Sequence, residues 1–154
     1  MATETAPAHT TLPVAQLIPD YPISFDAWKG FEADISLDID NLTGLVRPLE
    51  DLQSAFSLEQ DGLRVDQLSF DDGVNGSVAL TGSLVDQDKP PQLDLALTGE
   101  SLIYGIPKAP EEDVDALPSY DVKLRLTGSG QTTRTLASSL NGYLNLAMGS
   151  GHIL

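Results

Sequence analysis

From Phe56 to Gly99 the chain reads FSLEQDGLRVDQLSFDDGVNGSVALTGSLVDQDKPPQLDLALTG, and the period of two in this stretch leaves few folds open. Val74, Val78, Leu80 and Leu84 fall on one parity with Gly76 and Gly82, whereas Asn75, Ser77, Thr81 and Ser83 fall on the other. Successive side chains of a strand point to opposite faces, so this pattern describes a strand with one apolar and one wet face. Leu93, Leu95 and Leu97 repeat it against Gln92, Asp94, Ala96 and Thr98. Asp61-Gly62 and Asp72-Gly73 are hairpin signals, because glycine accepts the positive φ that tight turns demand, and Asp88-Lys89-Pro90-Pro91 punctuates the next connection. The stretch therefore predicts consecutive antiparallel strands in a one-sided sheet.

The flanking sequence extends the pattern. Phe31, Ala33, Ile35, Leu37 and Ile39 alternate with Glu32, Asp34, Ser36 and Asp38, and a helix would scatter those acids around its whole circumference. Further strands are expected from Leu49 to Leu58, Leu63 to Phe70 and Tyr120 to Leu126, and at Leu144, Leu146 and Met148. Val65 and Leu68 differ in parity, which predicts a bulge near Asp66-Gln67. Thr133 to Leu140 reads as a helix. Thr132 or Thr133 is placed to cap it, Leu136 and Leu140 lie one turn apart to dock over an end of the sheet, and Gly142 suits a left-handed stop. Leu-Thr-Gly recurs at Leu42-Thr43-Gly44, Leu80-Thr81-Gly82, Leu97-Thr98-Gly99 and Leu126-Thr127-Gly128 at uneven spacing, so the repeating unit is a glycine-ended strand and not a solenoid. Glycines near strand ends favour a curved sheet.

Residues 1–16 lack periodicity and read as a leader or cloning junction, followed by one β-rich domain over 17–154. Pro13, Pro19 and Pro22 forbid regular pairing, so the segment carrying Leu17, Ile18, Tyr21, Ile23, Phe25 and Trp28 is expected to lie on the sheet edge, with Ser24 or Asp26 opening a short turn towards Gly30. Ser101 to Pro107 reads as a single helical turn. The acidic run Lys108 to Pro118, with Glu111, Glu112, Asp113 and Asp115, reads as an exposed loop, since a calcium loop would need its oxygen ligands at fixed spacing around a glycine turn. Ile153 and Leu154 look like a strand beginning as the chain stops, as expected of part of a longer protein.

Composition excludes several function classes. The chain of 154 residues carries 8 basic and 23 acidic side chains, a formal charge of −15. That charge disfavours nucleic acid and anionic membrane surfaces as partners. There is no cysteine, so disulfide scaffolds and Cys-based zinc or redox sites are unavailable. No stretch approaches the ~20 apolar residues of a membrane-spanning helix, and residues 1–20 lack the pattern of a signal peptide. His9 and His152 sit near the two termini, too remote for a Ser-His-Asp constellation built on an ordered frame. Gly128 to Arg134, GSGQTTR, lacks the Gly-Lys-Ser/Thr ending of a phosphate loop and reads as a helix entry. Asn41-Leu42-Thr43 and Asn75-Gly76-Ser77 match glycosylation sequons, a pattern common by chance. No metal site, cofactor site or catalytic constellation emerges.

Four stretches in this order, IPDYPISFDAWKGFEADISLDIDNLTG, LEDLQSAFSLEQDGLRVDQLSFDDGVNGSVALTGSLV, PPQLDLALTGESL and YDVKLRLTGSGQTTRTLASSLNGYLNLAMGSGHI, resemble the C-terminal region of the AsmA family of bacterial envelope proteins. The most specific part is the closing one, where a strand ending in Gly128-Ser129-Gly130 leads to Thr133–Leu140, then Asn141-Gly142 and a further strand. The resemblance implies a non-catalytic periplasmic protein, tethered to the inner membrane in its full-length form. Its curved sheet would form a hydrophobic groove for phospholipids bound for the outer membrane, and it implies no cofactor.

The sequence thus predicts a mainly β fold: a curved antiparallel meander forming an open groove, with one or two short helices. Ile35, Leu37, Val78, Leu80, Leu95 and Leu97 are expected to line the lipid-facing apolar surface, and Asp34, Ser77, Thr81 and Asp94 to face water. Phospholipid acyl chains are the expected partner, with other envelope proteins besides. The alternative is a structural or scaffolding β-domain that binds protein partners along an open sheet edge.

Overall fold

In a computed structural model the described residues are 17–45, 47–87, 90–103 and 117–149. They form one seven-stranded antiparallel sheet in simple sequence order: β1 (Ala33–Leu42), β2 (Leu49–Glu59), β3 (Gly62–Asp71), β4 (Ser77–Val85), β5 (Gln92–Ile103), β6 (Ser119–Ser129) and β7 (Asn141–Met148). The only other elements among these residues are a 3-10 turn at Asp26–Trp28 and helix α1 (Thr133–Ser138). The sheet is open, with β1 and β7 as its edges. The leader, residues 108–116 of the acidic run, both histidines and Ile153–Leu154 lie outside the described residues.

Three bulges interrupt the ladder. Asp66 is the extra residue of β3, opposed by none in β2 or β4, where the parity break between Val65 and Leu68 required one, and its carboxylate accepts a bond from the Ser57 hydroxyl at 2.6 Å. Asp51 is the extra residue of β2, at φ 48°. The third lies in β5 between Gly99 and Leu102, where Ser101 has φ 52° and its N–H bonds the Asp121 carboxylate at 2.8 Å. Ser101–Ile103 therefore continue a strand and do not form the expected helical turn. A left-handed conformation costs an L-residue roughly 1–2 kcal/mol, while glycine costs about 0.5–1 kcal/mol in lost entropy, so Ser101→Gly is expected to stabilise the fold by about 0.5–1 kcal/mol. A urea midpoint that falls in the variant would show that Ser101 is not strained.

The turns follow the sequence signals with one-residue adjustments. The β2–β3 turn is Gln60–Asp61, and Gly62 already belongs to β3 with φ 154°. The Asp72–Gly76 loop contains Val74, so that residue is not in β4, and the Asp72 carboxylate accepts the N–H groups of Val74, Asn75 and Gly76 at 2.9–3.3 Å.

One end of the sheet is finished by α1 and the proline-rich segment. Thr132 caps α1 through a reciprocal box with Thr135, whose N–H bonds Thr132 Oγ1 at 3.2 Å while Thr132 N–H bonds Thr135 Oγ1 at 3.0 Å. The helix ends at Ser138, earlier than expected. Ser139 then takes the place of a strand partner: its hydroxyl accepts from Ser129 N–H and donates to Ser129 C=O, both at 2.7 Å. Of the two leucines expected to dock, Leu140 places its Cδ2 beside Gly128 but stays 43% exposed. Gly142 is a correction. It is not left-handed but lies inside β7 opposite Leu126, where an added Cβ would run into the Arg125 carbonyl oxygen.

The proline-rich segment is likewise corrected: it is tied to the end of the sheet and not to its lateral edge. Pro22 bridges Thr132, Ile23 N–H bonds Gln131 C=O at 2.8 Å, and Thr133 N–H bonds Tyr21 C=O at 2.9 Å. Thr133 Oγ1 accepts from Tyr21 N–H at 3.0 Å and donates to Pro19 C=O, so its hydroxyl serves this strap and not the helix cap. From there the chain passes through the 3-10 turn to Glu32, which accepts from Gln60 Nε2 at 3.3 Å just before β1 begins. Ser24 Oγ accepts from Asp26 N–H at 3.2 Å, and the Asp26 carboxylate raises the pKa of Lys29 by a direct hydrogen bond and by its charge. Phe25 packs on Trp28 with ring centroids 5.6 Å apart, and at 7% exposure it is the one buried aromatic or large aliphatic side chain among the described residues.

Candidate functional site

Cross-strand partners share a face, so the register decides which side chains lie together. One transverse row runs Leu37, Ser54, Leu68, Leu80, Leu97, Leu124 and Leu144, each opposite the next. The row beside it runs Ile35, Phe56, Val65, Gly82, Leu95, Leu126 and Gly142. Towards the strap end comes a third row, Ala33, Leu58, Leu63, Leu84, Leu93 and Gly128. At the other end a fourth contains Phe70, Val78, Gly99, Val122 and Leu146, with Ile39 and Leu52 completing it beyond the Asp51 bulge. No charged side chain occurs in any of the four. The bulges preserve this: without the extra Asp66, Leu68 and Phe70 would point to the wrong face.

All six residues expected to line the apolar surface are in these rows: Leu37, Leu80 and Leu97 in the first, Ile35 and Leu95 in the second, Val78 in the fourth. The opposite face is polar along its length. Asp34, Ser57, Arg64, Ser83, Asp94, Thr127 and Asn141 are successive partners there, and Arg125 bonds Asp94 at 2.8 Å. Ser77 and Thr81 share that face, so the four positions expected to face water do lie together. A shallow hollow between Thr98, Glu100, Asp121, Lys123 and Asn145 lies on the polar side.

Within the apolar face large side chains lean over the small ones. Leu95 Cδ1 lies 3.0 Å from where a Gly82 Cβ would be, and Leu102 and Leu140 occupy the equivalent space at Gly99 and Gly128. The glycines thus level the surface, and the leucines are shielded by in-plane neighbours and not by a second layer. Edge strands have fewer such neighbours, leaving Leu37 50% and Met148 67% exposed. Strands about 4.8 Å apart and same-face residues about 6.8 Å apart make four rows on seven strands a face of roughly 29 by 20 Å, or about 600 Å². That is at the upper end of the largest apolar patch of a typical monomer, roughly 300–600 Å².

Ser54 is the exception in composition. It is 7% exposed on β2 within the apolar face, and its hydroxyl has no hydrogen-bond partner among the described residues. Removing an unsatisfied buried hydroxyl recovers its desolvation cost of about 1–3 kcal/mol, offset in part by the lost contacts of the oxygen, so Ser54→Ala is expected to leave stability unchanged or raised. A clear fall in the thermal midpoint would reveal an interaction of that hydroxyl.

Among the described residues no three His, Cys, Asp or Glu side chains are grouped to hold a metal ion, and no helix is long and apolar enough to cross a membrane. Neither a protein-family model, a curated protein nor a solved structure matches the chain.

Proposed function

We propose that the chain is a lipid-binding β-groove segment of a bacterial envelope protein, of the AsmA type, that takes part in phospholipid transport and outer-membrane biogenesis. The observation that supports it is the continuous, charge-free apolar face spanning seven strands, with no second layer over it among the described residues. Exposed apolar surface of this extent is disfavoured in water, and covering it with hydrocarbon recovers about 0.8 kcal/mol per buried methylene. Acyl chains suit such a surface because they need no hydrogen bonds from it, and the four rows offer none apart from the covered Ser54 hydroxyl. On this reading the protein is non-catalytic and periplasmic, and in full length is anchored to the inner membrane. Mass spectrometry of the folded chain purified without detergent tests it. Copurifying phospholipid is expected, and a lipid-free, stable monomer would count against the reading.

A second reading has its own support. Among the described residues β1 and β7 each have a neighbour on one side only, and every residue of β7 is exposed. A scaffolding role, in which a strand of another protein extends one of these edges, would use those free backbone groups. A partner bound without displacing lipid, and sensitive to proline substitution in β7, would favour it.

A further inference from the structure

A sheet with one apolar face is half of a two-layer domain, and the described residues supply no other half: Phe25 is their only buried aromatic or large aliphatic side chain, and α1 with the strap covers just one end. We propose that in the absence of lipid the missing layer is a second copy of this chain, packed face to face as a sandwich, and that lipid and the second copy compete for the same face. The sandwich stands on the geometry of the sheet. The competition rests on the lipid reading above.

Three observations favour a second copy. The first is area: two faces of about 600 Å² bury about 1,200 Å² between them, the lower bound of specific interfaces at roughly 1,200–2,000 Å². The second is charge. A chain with a formal charge of −15 should repel its own copy, but the four facing rows carry no charge, and Asp34, Asp38 and Asp94 project from the opposite face, outward from the sandwich. The third is shape. Gly82 and Gly99 are overlain by Leu95 and Leu102 of the same face, and Gly128 by Leu140 from the turn before β7, which leaves an even surface of the kind two twisted sheets pack through at about −30°.

Such an interface is two-fold symmetric, with its axis between the layers and under the middle of the face. The middle is β4, the fourth of seven strands, between the rows of Leu80 and Gly82. Leu80 therefore lies near its own copy whichever way the axis runs in that plane, whereas Thr81 points away from the interface on both copies. The chain has no cysteine, so a single introduced thiol reports without background.

The test uses the full chain, delipidated and refolded, in sedimentation velocity, together with Leu80→Cys and Thr81→Cys treated with a bis-maleimide matched to the sheet spacing of about 10 Å. The expected result is a concentration-dependent dimer, cross-linked between copies at Leu80→Cys and not at Thr81→Cys. Short-chain phosphatidylcholine below its micelle concentration should convert it to a lipid-loaded monomer and abolish the cross-link. A folded, delipidated parent that stays monomeric at its highest soluble concentration, or equal cross-linking at both positions, overturns the sandwich. Lipid bound to a dimer whose cross-link persists overturns the competition. A dimer that takes no phosphatidylcholine retains the sandwich and removes the lipid reading along with the competition.

Discussion

Leu80→Asp is expected to weaken phospholipid binding by about a hundredfold or more while Thr81→Asp leaves it nearly unchanged. Leu80 is in the central strand, between Leu68 and Leu97, and an acyl chain laid across that row must contact it. Losing a buried leucine contact costs about 1.5–3 kcal/mol, and each 1.4 kcal/mol is tenfold in affinity. A carboxylate under hydrocarbon adds a desolvation cost that no cation in the four rows offsets. Thr81 points to the polar face opposite Ala96, so the same charge one residue along remains in water. Asp94→Asn makes a companion control: it removes an ion pair with Arg125 whose members are each about half exposed, worth about 0–1 kcal/mol, on the face away from lipid. Circular dichroism must first show all three variants folded. Equal affinity of folded Leu80→Asp and parent would remove the apolar face from the account.

Gly142→Val should lower stability by about 2–3 kcal/mol, roughly 5–10 °C in thermal midpoint for a chain of this length. The cause is close approach and not backbone handedness. A Cβ at this position meets the Arg125 carbonyl oxygen, with Arg125 C at 2.9 Å and Leu126 Cα at 3.1 Å, all backbone atoms that move only if β7 separates from β6. Gly142→Asn distinguishes the two explanations. Asparagine tolerates a left-handed helix stop, so a capping glycine would accept it at little cost, whereas a glycine required by strand approach rejects any Cβ. Near-parental stability of Gly142→Asn would restore the capping account.

What was legible in the sequence was whatever depends on parity alone. Leu93, Leu95 and Leu97 announced β5 and its inward face, and the parity break between Val65 and Leu68 announced the Asp66 bulge. The same signal was present twice more, between Leu49 and Leu52 and between Gly99 and Leu102, where the bulges at Asp51 and Ser101 were missed. In the second case Ser101–Ile103 follow a glycine and precede another glycine and a proline, local features that compete with strand continuity. Gly142 misled for a related reason: a glycine after a short helix has the local appearance of a stop, and only the path of β6 shows why it is needed. The strap was beyond local reasoning. Thr133 and Tyr21 are 112 residues apart, and nothing near either predicts that the threonine hydroxyl will serve a proline-rich segment while Thr132 caps the helix. Of the candidate surface, the six apolar positions were readable one strand at a time, but their continuity depends on the register.

The most direct test of the central claim is methyl NMR of the chain loaded with phospholipid carrying a spin label midway along one acyl chain, since both faces of the same strands bear methyl groups. Lipid on the apolar face predicts strong broadening at Leu80, Leu95, Leu97 and Val78, with Ala79, Thr81 and Ala96 on the polar face spared. Broadening at Ala79, Thr81 and Ala96 equal to or greater than that at the leucines would contradict it.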